Sequence, residues 1–152
     1  MLSVLFICTA NICRSPMAMA IFRSKVVEKI NDWRIESAGT WAVDGEPAHP
    51  KTRQVISELG MNLDEHRSQS ITRELLKSFN LILTMEQGQK EAIQVEFPEV
   101  AKRVYLITEM IGGSYNVLDP VGGPIEEFRI TASEMDRLLT DGFEKIVELA
   151  SK

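Results

Sequence analysis

The sequence predicts a single-domain α/β fold built on a mostly parallel sheet. Three observations carry this. Short apolar runs alternate with segments of helical period, the first run is apolar almost without interruption, and a length of 152 residues suits one core.

Leu2-Ser3-Val4-Leu5-Phe6-Ile7 reads as a strand buried on both faces, because Asn11 and Pro16 follow too soon for a helix. Ser15-Pro16 reads as an N-cap with proline at the first helical position. Met17, Ala20, Ile21, Ser24 and Val27 then fall at helical spacing, which predicts a helix to about Lys29, ended by the turn Asn31-Asp32. Trp33-Arg34-Ile35-Glu36-Ser37-Ala38 reads as a second strand ending in Gly39, and Pro50 to Leu59 as a helix stopped by Gly60. Leu81-Ile82-Leu83 is a third strand, followed by a helix over Gln87 to Val95 that Pro98 bounds, and Val104-Tyr105-Leu106-Ile107 is a fourth. From Glu126 to Ala150, Phe128, Ala132, Met135, Leu139, Phe143, Ile146 and Leu149 keep the period of one long amphipathic helix. Ligands of such sheets bind outside the carboxyl ends of the strands, which directs attention to the loop that begins at Cys8.

Composition narrows the chemistry. A net charge of −5 without a basic stripe argues against nucleic acid as a partner, and leaves an anionic substrate to be held by local donors. The apolar stretch Val4 to Ile7 is too short for a membrane span and lacks the flanks of a signal peptide, so a cytoplasmic protein is expected. Cys8 and Cys13 are the two cysteines and share one loop, whereas a disulfide framework would spread them along the chain. His49 and His66 are not at paired ligand spacing, so neither zinc nor another metal is expected; thiol chemistry without a cofactor remains.

In Cys8-Thr9-Ala10-Asn11-Ile12-Cys13-Arg14-Ser15, the strand delivers the Cys8 sulfur and Arg14, six residues on, can return its fork of donors to the same point. The backbone between them can turn its N–H groups inward as an anion nest opening on a helix N-terminus, and Asn11 tolerates the left-handed conformation such a loop needs. These positive groups favour a negative sulfur on Cys8, and the Ser15 hydroxyl can donate to it. A cysteine at a strand end is more often a small buried hydrophobe; the strand before, the arginine and the Ser-Pro helix start after it set this one apart.

The run Cys8 to Pro16 resembles the signature of the low-molecular-weight protein tyrosine phosphatases. Glu36-Ser37-Ala38-Gly39-Thr40 is similar to that family's second hallmark and Asp119-Pro120 to its third, in matching order from Leu2 to the last helix. The resemblance implies one domain over residues 1–152, a flavodoxin-like four-stranded parallel sheet with helices on both faces, no metal, and a phosphocysteine intermediate. It implies Cys8 as nucleophile, Arg14 as phosphate ligand and Asp119 as general acid, then base. Asp-Pro alone is a common turn, but here it lies after the fourth strand in a loop with Gly112, Gly113, Gly122 and Gly123. Thr9, Ala10, Asn11, Ile12, Cys13 and Ser15 would bind substrate. Asn11, Ser15, Ser37 and His66 look like the network that supports the loop, and His49 reads as surface. Ile12 and Trp41 are candidates for the wall against an aromatic ring, although the segment Trp41 to Gly45 is shorter than the family's usual loop, and an exposed or a core tryptophan fits equally.

Three departures bear on the substrate. Ala10 replaces a usual glycine, which requires negative φ; Glu86 stands for a usual aspartate; Val121-Gly122-Gly123 replaces an aromatic pair. The glycine pair resembles the related protein-arginine phosphatases, whereas Ile12 stands where those usually carry threonine and suits a flat apolar ring. A tyrosine-phosphorylated protein is the expected partner, a bacterial tyrosine kinase being the candidate, and the oligomeric state is left open. No cysteine follows Cys13 to relay a disulfide, which speaks against arsenate reduction. A flavodoxin-like binding module explains the fold but not the pairing of Cys8 with Arg14, and a thiol redox sensor is compatible with catalysis.

Overall fold

The computed structural model describes residues 1–152 as four parallel strands and six α-helices. They run β1 (Leu2–Cys8), α1 (Arg14–Lys25), β2 (Trp33–Gly39), α2 (Pro50–Glu58), α3 (Arg73–Lys77), β3 (Leu81–Thr84), α4 (Gln87–Glu96), β4 (Val104–Leu106), α5 (Ile125–Asp141) and α6 (Phe143–Ala150). The sheet order is β2-β1-β3-β4, with Cys8 beside Gly39 and Ile7 beside Thr84, so the loops after β1, β2 and β3 leave one edge together. No helix is long and apolar enough to cross a membrane.

The pleat divides the core. Val4, Phe6 and Cys8 point to the face covered by α1, α2, α5 and α6, while Leu5 and Ile7 point to the face of α3 and α4, where Leu76, Phe79, Ile93 and Phe97 pack. Because β1 is buried on both faces, its end and the Cys8 side chain are held by packing above and below.

Four elements differ from expectation. The first helix starts at Arg14 with Cys13 as N-cap, because the Ser15 side chain is spent on Cys8 and Asn11 instead of capping. It ends at Lys25, where Val26 leaves helical geometry to tuck its side chain into the core, and a 3₁₀ segment, Val27–Asp32, completes the crossover. The long C-terminal helix is two helices broken at Gly142, where a Cβ would stand 2.7 Å from Met110 Cβ. Strand β4 stops at Leu106, whose N–H is drawn 2.6 Å from the Glu109 carboxylate as a 3₁₀ turn begins at Ile107. The short α3 carries no period long enough to read; it is capped by Thr72 Oγ1, which accepts from Leu75 N–H at 3.1 Å.

Candidate active site

Between β1 and α1 the backbone closes into a cup. The carbonyls face outward: Cys8 O accepts from Thr40 N at 3.0 Å, Thr9 O from Trp41 N at 3.0 Å, Ile12 O from His49 N at 2.8 Å and Cys13 O from Met17 N at 3.1 Å. Asn11 O accepts from His66 Nε2–H at 2.8 Å. In a trans peptide the following N–H points opposite to the carbonyl, and the chain has no cis bond, so the N–H groups of Thr9, Ala10, Ile12, Cys13 and Arg14 turn inward. No N–H from Thr9 to Ser15 donates to another group of the protein.

The bend depends on Asn11, the one non-glycine residue with positive φ, at 59°. Its fully buried side chain fixes that conformation: Nδ2 donates to Ser15 Oγ at 2.8 Å and Ser37 Oγ at 2.9 Å, while Oδ1 accepts from Gln69 N at 3.0 Å. Ala10 meets its condition of negative φ. Gly39 packs directly under the loop; a Cβ there would collide with the Thr9 carbonyl oxygen and lie 3.1 Å from Asn11 N. Ser15 Oγ lies 2.9 Å from Cys8 Sγ.

Arg14 is buried, 2% exposed, and its guanidinium is held from two other loops. Nη1 donates to Glu86 Oε2 at 2.5 Å and to Val117 O at 2.8 Å, and Nη2 lies 3.7 Å from Asp119 Oδ2. The Glu86 carboxylate therefore reaches the arginine with its extra methylene. Asp119 leaves its side chain about half exposed and accepts from Val121 N–H at 3.0 Å through Oδ1. Gln89, which sequence reasoning passed over, joins these parts: Oε1 accepts from Met85 N and Glu86 N at 3.0 Å each, and Nε2 donates to Thr9 Oγ1 at 3.0 Å. The spacing Glu86-x-x-Gln89 at the start of α4 is a capping-box signal that could have marked it.

Burial separates the titratable groups. The Cys13 thiol is pushed up to about 12, chiefly by desolvation and further by the Asp119 and Cys8 charges. The buried Thr52 hydroxyl makes no hydrogen bond of ordinary geometry, yet lies near enough to that thiol to offset part of the rise. His66 is pushed down by burial, against the opposing pull of its bond to Asn11 O. His49 is half-buried rather than a surface residue: its Nδ1 caps α2 by accepting from Lys51 N at 3.1 Å, and its ring packs 5.1 Å from that of Phe128. Trp41, 85% exposed, stands at the mouth of a groove of about 400 Å³ shared with Ala10, Ile12, Val43 and Pro47, so it is neither core nor packed against the cup.

The model of the low molecular weight phosphotyrosine protein phosphatase family matches residues 3–150. The protein-arginine-phosphatase of Geobacillus stearothermophilus is 33% identical over 144 residues, 94% of this chain and 95% of its own. The low molecular weight protein-tyrosine-phosphatase PtpB of Staphylococcus haemolyticus is 33% identical over 132 residues, 87% of this chain and 91% of its own. A solved low molecular weight protein tyrosine phosphatase from T. tengcongensis superposes with a TM-score of 0.90 at 38% identity, covering 95% of this chain and 99% of that one. With a parallel sheet, a closed anion cup and these likenesses agreeing along nearly its whole length, the chain belongs to the low molecular weight phosphotyrosine protein phosphatase family.

Proposed function

We propose that the chain hydrolyses phosphotyrosine in proteins through a phosphocysteine on Cys8. The observation that carries this is the cup itself: inward N–H groups closed between a cysteine on a strand end and a buried arginine on a helix start. The Cys8 thiolate attacks phosphorus in line as the aryl oxygen leaves, while the cup amides and Arg14 hold the equatorial oxygens. Asp119 gives its proton to the departing phenolate, then takes one from the water that attacks the phosphocysteine; the P–S bond breaks and phosphate leaves. Ser15 donates to the released sulfur. Ile12 and Trp41, apolar groups beside the cup, support a flat aromatic substrate.

A second reading is a protein-arginine phosphatase, favoured by Gly122-Gly123 after Asp119-Pro120 and by the name of the Geobacillus relative. Hydrolysis of phosphotyrosine and phosphoarginine peptides by the wild type and by Ile12→Thr separates them. The wild type is expected to prefer phosphotyrosine, and Ile12→Thr to move that preference toward phosphoarginine. Wild-type preference for phosphoarginine would establish the second reading. Cys8→Ser should end turnover yet still bind phosphate; surviving turnover would remove Cys8 as nucleophile under either reading. The free thiols suit a reducing compartment, and we place the enzyme in the cytoplasm, with a tyrosine-phosphorylated bacterial tyrosine kinase as the candidate partner.

A further inference from the structure

The structure assigns to Lys51 the task of holding the acid-bearing loop in register with the phosphate cup, a positioning role that rests on the reading of Asp119 as general acid. The first residues of α2 touch both loops. On one side, His49 N donates to Ile12 O of the cup at 2.8 Å. On the other, Lys51 Nζ donates to Gly123 O at 2.7 Å, with its charge 5.7 Å from the centre of the Phe128 ring. Gly123 N in turn donates to Pro120 O at 2.9 Å, closing the turn that begins beside Asp119. Phe128, fully buried at the start of α5, is covered by the His49 ring as well. Two residues of one helix start thus tie the two halves of the site together.

Two further facts single out this lysine. A cation in the first turn of a helix opposes the helix dipole, so Lys51 stands there against local preference, as residues kept for a site do. The loop it grips is intrinsically loose: Gly122 sits at φ 93°, and two glycines in succession carry no side chain to anchor the turn. Asp119 itself is attached only by the Val121 N–H and by Arg14 at 3.7 Å. Removing the lysine bond frees the turn, and a proton donor displaced by an ångström transfers poorly.

The test is the leaving-group dependence of kcat/KM, which reports steps up to phosphocysteine formation. Lys51→Met should lower kcat/KM about tenfold for phenyl phosphate, whose leaving group needs a proton, and less than about twofold for dinitrophenyl phosphate. Inhibition by vanadate should be unchanged, showing an intact cup, and Lys51→Arg should restore most of the phenyl phosphate activity. Asp119→Asn runs alongside. Equal or absent losses on the two substrates in Lys51→Met, with discrimination present in Asp119→Asn, would overturn the role of Lys51 alone. Discrimination absent from Asp119→Asn would overturn the acid assignment and the Lys51 role with it.

Discussion

Ser15 Oγ stands 2.9 Å from Cys8 Sγ and receives the Asn11 Nδ2–H at 2.8 Å. A hydroxyl has one hydrogen to give; with Asn11 occupying a lone pair, that hydrogen faces the sulfur at 2.9 Å in preference to the Ala38 carbonyl, which lies at 3.5 Å. That bond strengthens as negative charge returns to sulfur, so it favours breakdown of the phosphoenzyme more than its formation.

Ser15→Ala is therefore expected to lower kcat by about one to two orders of magnitude while preserving the first turnover. Rapid mixing with an activated aryl phosphate should show a burst of phenolate of nearly one per enzyme. A loss of burst rate equal to the loss of kcat would contradict this division of labour.

Gly39→Ala places a methyl group against the Thr9 carbonyl and within 3.1 Å of Asn11 N, both backbone atoms of the cup. Overpacking of this kind costs about 1–3 kcal/mol. Urea unfolding should register that loss, and phosphate affinity should fall with it because the strained atoms are those that shape the cup. Unchanged stability would mean that the loop yields freely.

His66 makes stability depend on pH in a defined direction. Burial holds its folded value below the ordinary range near about 6.5, so on acidification the unfolded chain takes up the proton first. The contribution is fully present above about pH 6.5 and is lost as pH falls through that value toward the lowered folded one. Protonation leaves the Nε2–H bond to Asn11 O in place, so the loss comes from charging a buried ring and not from releasing the cup. Unfolding free energies of the wild type should decline more steeply there than those of His66→Gln; parallel profiles would refute the assignment.

The residues from Leu2 to Pro16 were readable in the sequence because their physics is local. A continuous apolar run makes a buried strand, Asn11 permits one left-handed turn, and Pro16 commits the chain to a helix. Helix period predicted that the stretch from Glu126 to Ala150 was helical but not its break at Gly142, since the reason, Met110, lies more than thirty residues earlier in the chain. His49 looked like a surface residue for the same cause: its partner ring, Phe128, comes from a helix far along the sequence.

The sequence by itself determined the alternation of strands and helices, the position of the cup and the pairing of a cysteine with an arginine across seven contiguous residues. Only the tertiary structure decided what surrounds them. Gln89, the Val117 carbonyl and the link from Lys51 to Gly123 are brought to the cup by the order β2-β1-β3-β4 and the docking of α2 on α5. Steric and hydrogen-bond preferences of the backbone act over a few residues and leave their mark on composition and spacing. Contacts between distant segments depend on how whole layers pack, and a single polar side chain in a loop carries no trace of which layer it will meet.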